Sequence, residues 1–174
     1  MRNHPKVSNV INRLTTVLFI IYLIAICWIL LFKLGVPFSY MGKRSVNLIP
    51  FSEPSTLNSE NILNVIIFVP LGIYAGILFR RWLFGKKLLF VFLFSLLVEG
   101  LQYILRLGAF DVTDIMTNTL GGLIGLIIYK AIEKAVNSSI KAQKFINIIA
   151  ATGTVLMILL LVLLKMNMLP VRYQ

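Results

Sequence analysis

Apolar residues run along this chain in five long blocks, at about Leu14–Phe32, Ile62–Phe79, Leu88–Leu105, Val112–Tyr129 and Ile146–Leu164. Each comes close to the roughly 20 helical residues that cross a hydrocarbon core of about 30 Å. A segment in lipid must satisfy its own backbone hydrogen bonds, so five transmembrane helices are the predicted elements. The second to fourth blocks are only just long enough, which predicts helices standing with little tilt. The first has too long an apolar core for a cleaved signal peptide, and no small-x-small site follows it, so it reads as a retained anchor. Residues 35–61 are too polar to span. Within them, Leu48, Ile49 and Phe51 suit a stretch that lies in the interface or folds back over the bundle. The expected fold is a single all-α membrane domain over residues 1–174, a polytopic bundle of about five helices.

Composition supports this. The chain is 59% hydrophobic and 13% charged, whereas a soluble domain is nearer half apolar and a quarter charged. Net charge is +11. In a soluble protein that balance would suggest nucleic acid, but no basic stripe on a soluble region exists here to bind it. The cations fall between the apolar blocks. Arg2, Lys6 and Arg13 precede the first; Arg80, Arg81, Lys86 and Lys87 crowd the second connection; Lys130, Lys134, Lys141 and Lys144 crowd the fourth. Lys33, Lys43, Arg44, Arg106, Lys165 and Arg172 are spread over longer or terminal segments on the other side. The positive-inside rule therefore expects the N-terminus in the cytoplasm and the C-terminus outside. Cys27 is alone and His4 is the only histidine, so neither a disulfide framework nor a zinc site is expected. No cofactor is implied.

The informative positions are polar residues inside the apolar blocks. Glu99, Gln102 and Arg106 follow an i, i+3, i+7 spacing and share one helical face. At 1.5 Å per residue, Glu99 lies about 10 Å inward of Arg106. A mid-membrane charge costs about 2.5–3.5 kcal/mol even on the lenient insertion scale, so it rarely faces lipid. Asp111, Asp114 and Asn118 repeat the spacing on the fourth block, and Gly121 with Gly125 continues that stripe as a small-xxx-small surface for close helix approach. Asn61, Asn64 and Phe68 share a face of the second block, where Pro70 frees the Ile66 carbonyl and favours a kink. Only Leu107–Asp111 separates the third and fourth blocks, which predicts an antiparallel hairpin with Arg106 beside Asp111 and Asp114. The expected ligand site is Asn64, Glu99, Gln102, Arg106, Asp111, Asp114 and Asn118, opening outward. The inner half of the bundle reads as apolar. Cys27, Trp28, Trp82 and the phenylalanines read as lipid-facing or interfacial.

A plainer account is that intramembrane amides and carboxylates hold helices together, at roughly 0.6–2 kcal/mol per contact. It weighs equally for Asn64 and Asn118. It weighs less for Glu99 and Asp114, because neutral residues hold helices at lower cost.

These residues, in this order, resemble the VanZ-like family of bacterial membrane proteins. The resemblance runs from about 47 to 129, through Asn47-Leu48-Ile49-Pro50-Phe51, then Asn64, Phe68, Pro70 and Gly72, then Glu99, Gln102 and Arg106, then Asp111, Asp114, Asn118, Gly121 and Gly125. The flanking spans, about 14–32 and 146–164, match in hydropathy only. The resemblance implies decreased susceptibility to the lipoglycopeptide teicoplanin, a role and not a reaction. Three mechanisms remain open. A binding protein would hold the headgroup of a lipid-linked cell-wall precursor or a lipoglycopeptide, with Arg106 on phosphate or carboxylate. An enzyme acting on a lipid-linked substrate would use Glu99 as general acid and Asp114 as base, though no Ser/His or Cys/His nucleophile pattern accompanies them. A small proton-coupled carrier would titrate Glu99, and five spans are few for one without oligomerisation. Membrane lipids are expected partners in every case.

Overall fold

Five helices carry the architecture, and the apolar blocks account for all of them. The computed structural model describes residues 5–32, 45–51 and 59–165. His4 and most of the 35–61 connection lie outside these. The elements are α1 (Pro5–Phe32), β1 (Val46–Asn47), α2 (Ser59–Leu78), α3 (Phe84–Ile104), β2 (Phe110–Asp111), α4 (Val112–Ala135) and α5 (Ser139–Lys165). All five helices are long and apolar enough to cross a membrane, so the chain is a multi-pass membrane protein. The helices extend beyond the apolar blocks, most at α1 and α5, whose 28 and 27 residues exceed the minimum crossing length of about 17–20. Polar first and last turns add the extra length.

The most intimate packing joins α2 to α4, not the hairpin neighbours α3 and α4. Glycines decide this. A Cβ on Gly121 would collide with the Val65 carbonyl, one on Gly125 with the Val69 carbonyl, and one on Gly72 with the Gly122 carbonyl. With no side chain between them, the two backbones touch, and dispersion contact over the whole seam replaces the hydrophobic effect that lipid cannot supply. Gly76 receives the Tyr129 ring, and Gly122 receives Val91 of α3.

Around that seam lie two apolar clusters. Ile26 and Leu30 of α1 meet Phe68 and Leu71 of α2 and Val91 and Val98 of α3. Ile77, Tyr129, Ala142 and Ile146 join α2, α4 and α5. Phe68 is fully buried and sits edge-on to Phe94 at 6.1 Å, so the expectation that the phenylalanines face lipid fails there. Trp28 and Trp82 are exposed, as expected. Pro70 lies within a continuous α2. The Tyr22 hydroxyl donates to the Ile67 carbonyl at 2.8 Å, binding α1 to the turn that proline loosens.

The inner half is not wholly apolar. Thr15, Gln143 and Asn147 are buried between α1 and α5. Gln143 Nε2 donates to Thr15 Oγ1 (2.7 Å) and Asn12 Oδ1 (3.1 Å), and Thr15 Oγ1 meets Asn147 Oδ1 at 3.0 Å. The expectation missed this because each residue alone looks like an end-of-helix polar group. Gln143 and Asn147 are four apart and so stack on one face, which buries both once α5 packs on α1.

Candidate functional site

The polar residues of α2, α3 and α4 meet at one end of the bundle, beneath a short two-stranded cover. Asp111 begins α4. Its φ of −119° is extended, and its Oδ1 accepts the Thr113 N–H at 2.7 Å, the usual duty of an aspartate preceding a helix. Asn47 Nδ2 donates to the other carboxylate oxygen at 3.0 Å. β1 pairs with β2 in parallel, Val46 beside Phe110 and Asn47 beside Asp111. Phe51 closes the cover by donating its N–H to Thr113 Oγ1 at 3.1 Å. Phe51 does so at a φ of 54°, a conformation that is an outlier for a bulky residue. The Asn47-Leu48-Ile49-Pro50-Phe51 segment therefore folds back over the bundle and clamps the start of α4. Leu48, Ile49 and Phe51 stay exposed beside it.

Beneath this cover, Glu99 is only 2% exposed. Its Oε2 accepts the Asp111 N–H at 3.2 Å, so the carboxylate of α3 holds the backbone at the mouth of α4. One turn deeper on the same face is Ser95, whose Oγ accepts from Asn118 Nδ2 at 3.0 Å. Asn118 Oδ1 is buried and without a partner. Leaving such a group unpaired costs about 1–3 kcal/mol. Asp114 lies in the first turn of α4, where the helix dipole favours a negative charge, and its Oδ1 accepts from Asn64 Nδ2 at 2.8 Å. Gln102, on the same face, is engaged by α1: its Nε2 donates to the Leu30 carbonyl at 2.8 Å, one of the last-turn carbonyls of α1 that no intrahelical donor reaches.

Arg106 stands apart. It is exposed and adopts a φ of 57°. The Leu107 N–H reaches the Gln102 carbonyl at 2.8 Å, and the Arg106 N–H reaches the Tyr103 carbonyl at 3.3 Å. Those two bonds form the left-handed helix ending usually reserved for glycine. The hairpin was expected to set Arg106 beside Asp111 and Asp114, and among the described residues Arg106 forms no ion pair with either. The hairpin brings the chain segments together, but its left-handed ending turns the arginine to the rim.

Of the seven expected residues, then, Asn64, Glu99, Asp111, Asp114 and Asn118 form a polar node, with Gln102 at its border and Arg106 on its edge. Ser95 and Thr113 were missed. Ser95 was findable, since it lies four residues before Glu99 and so shares its face. Thr113 bonds a loop far away in sequence and carried no local signal. Among the described residues, no three histidine, cysteine or acidic side chains are placed to hold a metal ion.

Comparison with known proteins finds relatives over most of the chain. A family model described as VanZ/LLP1 matches residues 19–136, from within α1 to just past α4, wider than the 47–129 core read from the sequence. Protein VanZ of Enterococcus faecium is 39% identical over 146 residues, covering 82% of this chain and 87% of that protein. No solved structure matches the chain.

Proposed function

The chain belongs to the VanZ/LLP1 family, and from that premise we propose that it lowers susceptibility to teicoplanin and related lipoglycopeptides from the bacterial cytoplasmic membrane. In this reading the polar node faces outward. It binds the headgroup of a lipid-linked cell-wall precursor, or of a lipid-tailed antibiotic, in the outer leaflet. Arg106 meets the anionic part of that ligand at the rim. Asn64 and Asn118 offer hydrogen bonds deeper in, and the unpartnered Asn118 Oδ1 suits a hydroxyl or amide N–H.

The observation that carries this reading is the conformation of Arg106. A residue with a Cβ in the left-handed region costs roughly 1–2 kcal/mol, and glycine would end the helix there without that cost. Backbone strain of this kind clusters at functional positions. A planar, permanently charged guanidinium at the edge of a buried carboxylate node is suited to recognising phosphate or carboxylate in two-point geometry.

The test is a gene deletion complemented with wild type, Glu99→Gln or Asp114→Asn at matched membrane levels, with susceptibility to teicoplanin as readout and vancomycin, which lacks the lipid tail, as control. Selective loss of teicoplanin protection by both variants is the expected result. Full protection by both would remove the node from the function, and no protection by wild type would overturn the resistance role itself.

A further inference from the structure

Positive charge gathers at the end of the bundle opposite the carboxylate node. Arg80 and Lys130 lie near enough to act on the charge of Lys87, as does Glu133. Glu133 is the one carboxylate at this end among the described residues, and its Oε1 accepts from the Tyr129 hydroxyl at 3.2 Å. Lys87 is 8% exposed. Three cations and one engaged carboxylate therefore share this end, and the surplus is positive.

Beside them a recess of about 380 Å³ opens between α1, the end of α2 and the start of α5. Arg80 lines it in a fixed pose. Its Nη1 donates to Ser139 Oγ at 3.1 Å, and its Nη2 donates to the Ser139 carbonyl (3.3 Å) and to Gln143 Oε1 (2.6 Å). Arg81 and Trp82 also line it and are exposed, and Asn12 and Thr16 add polar groups from α1. Trp82 stacks on Phe79 at 4.3 Å. An exposed tryptophan at a helix end marks the headgroup level of a bilayer.

The same three helices continue inward to bound an apolar trough of about 290 Å³, lined by Leu18 and Tyr22 of α1, Pro70 and Tyr74 of α2, and Ile146 and Gly153 of α5. It reaches Met157. From Ile146 to Met157 is about 17 Å along a helix at 1.5 Å per residue, comparable to most of an extended acyl chain. A cationic recess at headgroup depth, with an apolar trough between the same three helices, matches the charge and polarity of one molecule. We infer that this groove holds an anionic phospholipid of the leaflet at the basic end, with its phosphate against Arg80 and Arg81 and one acyl chain in the trough. Basic recesses between transmembrane helices recognise anionic headgroups by this combination. The site is at the far end of the molecule from the carboxylate node and does not depend on the function proposed for it.

The test uses the full-length protein in detergent, titrated with phosphatidylglycerol, phosphatidylcholine or inorganic phosphate and read by native mass spectrometry. One phosphatidylglycerol should be retained in preference to phosphatidylcholine. Arg81→Gln should weaken that binding about fivefold, the worth of one basic residue near an anionic surface. Gly153→Leu should weaken it as well by filling the trough, and the fold should tolerate it, since a Cβ there meets nothing within 4 Å. Lys134→Gln, an equal change of charge at the same end, should leave it intact. Equal loss from Lys134→Gln and Arg81→Gln would reduce the site to diffuse attraction and overturn the inference. So would indifference to Gly153→Leu, no preference for the anionic lipid, or displacement of the lipid by millimolar inorganic phosphate, which would assign the recess to a free anion.

Discussion

A residue held in the left-handed region keeps its side chain only against a standing conformational cost, and Arg106 makes that cost measurable. Arg106→Gly should relax the ending of α3 and raise the thermal midpoint of the purified protein, by about 1 kcal/mol of stability. It should at the same time abolish protection against teicoplanin in cells. Stability and function moving in opposite directions would separate the guanidinium from any scaffold role; unchanged protection would remove Arg106 from the ligand site. Asn118 and Ser95 allow a similar separation. Replacing both members of a buried polar pair by apolar groups is often nearly neutral, and here an orphaned carbonyl disappears with them. Ser95→Ala/Asn118→Leu should therefore match wild-type thermal stability within about 1 kcal/mol yet lose protection. A large fall in melting temperature would make the pair structural. At this scale the sequence was readable where geometry is local. Asp111 precedes a helix, and Glu99 with Gln102 share a face. It was not readable for Arg106, because which residue takes the left-handed place depends on where the helix stops.

Among elements, the α2–α4 seam is the contact on which the site depends, since it sets Asn64 opposite Asp114. Gly125→Ala should lower the thermal midpoint markedly: helix propensity favours alanine by up to about 1 kcal/mol, but the added methyl meets the Val69 carbonyl and the start of Ile73. Gly100→Ala is the matched control, because nothing lies within 4 Å of its added Cβ, and it should be neutral or slightly stabilising. If both variants melt alike, the seam is looser than described. The small-residue stripe at Gly121 and Gly125 was visible in the chain. Its partner was not, for a stripe states that some backbone comes close without saying whose. Val65, Val69 and Gly72 of α2 take that close approach. In the same way nothing local in the sequence showed that α1 covers Gln143 and Asn147.

For the whole molecule, orientation in the membrane decides what the carboxylate node can meet. On the positive-inside rule the distribution of Lys and Arg predicts the N-terminus and the Arg80–Lys87 end on the cytoplasmic side, with the node outside. In a Cys27→Ser background, Ile49→Cys should react with a membrane-impermeant thiol reagent on intact cells, and Asn137→Cys only after permeabilisation. The reverse pattern would put the node on the cytoplasmic side and end the outer-leaflet reading. The number of helices, their order and the end that carries the polar residues were all determined by the sequence alone. Hydrophobic length and charge placement act on each segment separately, and each segment reports them by itself. Only the tertiary structure decided that α2 and α4 form the central seam, that residues 45–51 clamp the start of α4, that Arg106 lies at the rim, and that a cationic recess and an apolar trough both form between α1, α2 and α5. Each of these depends on which surfaces meet. Meeting is a property of pairs of distant segments, and no single stretch of chain carries it.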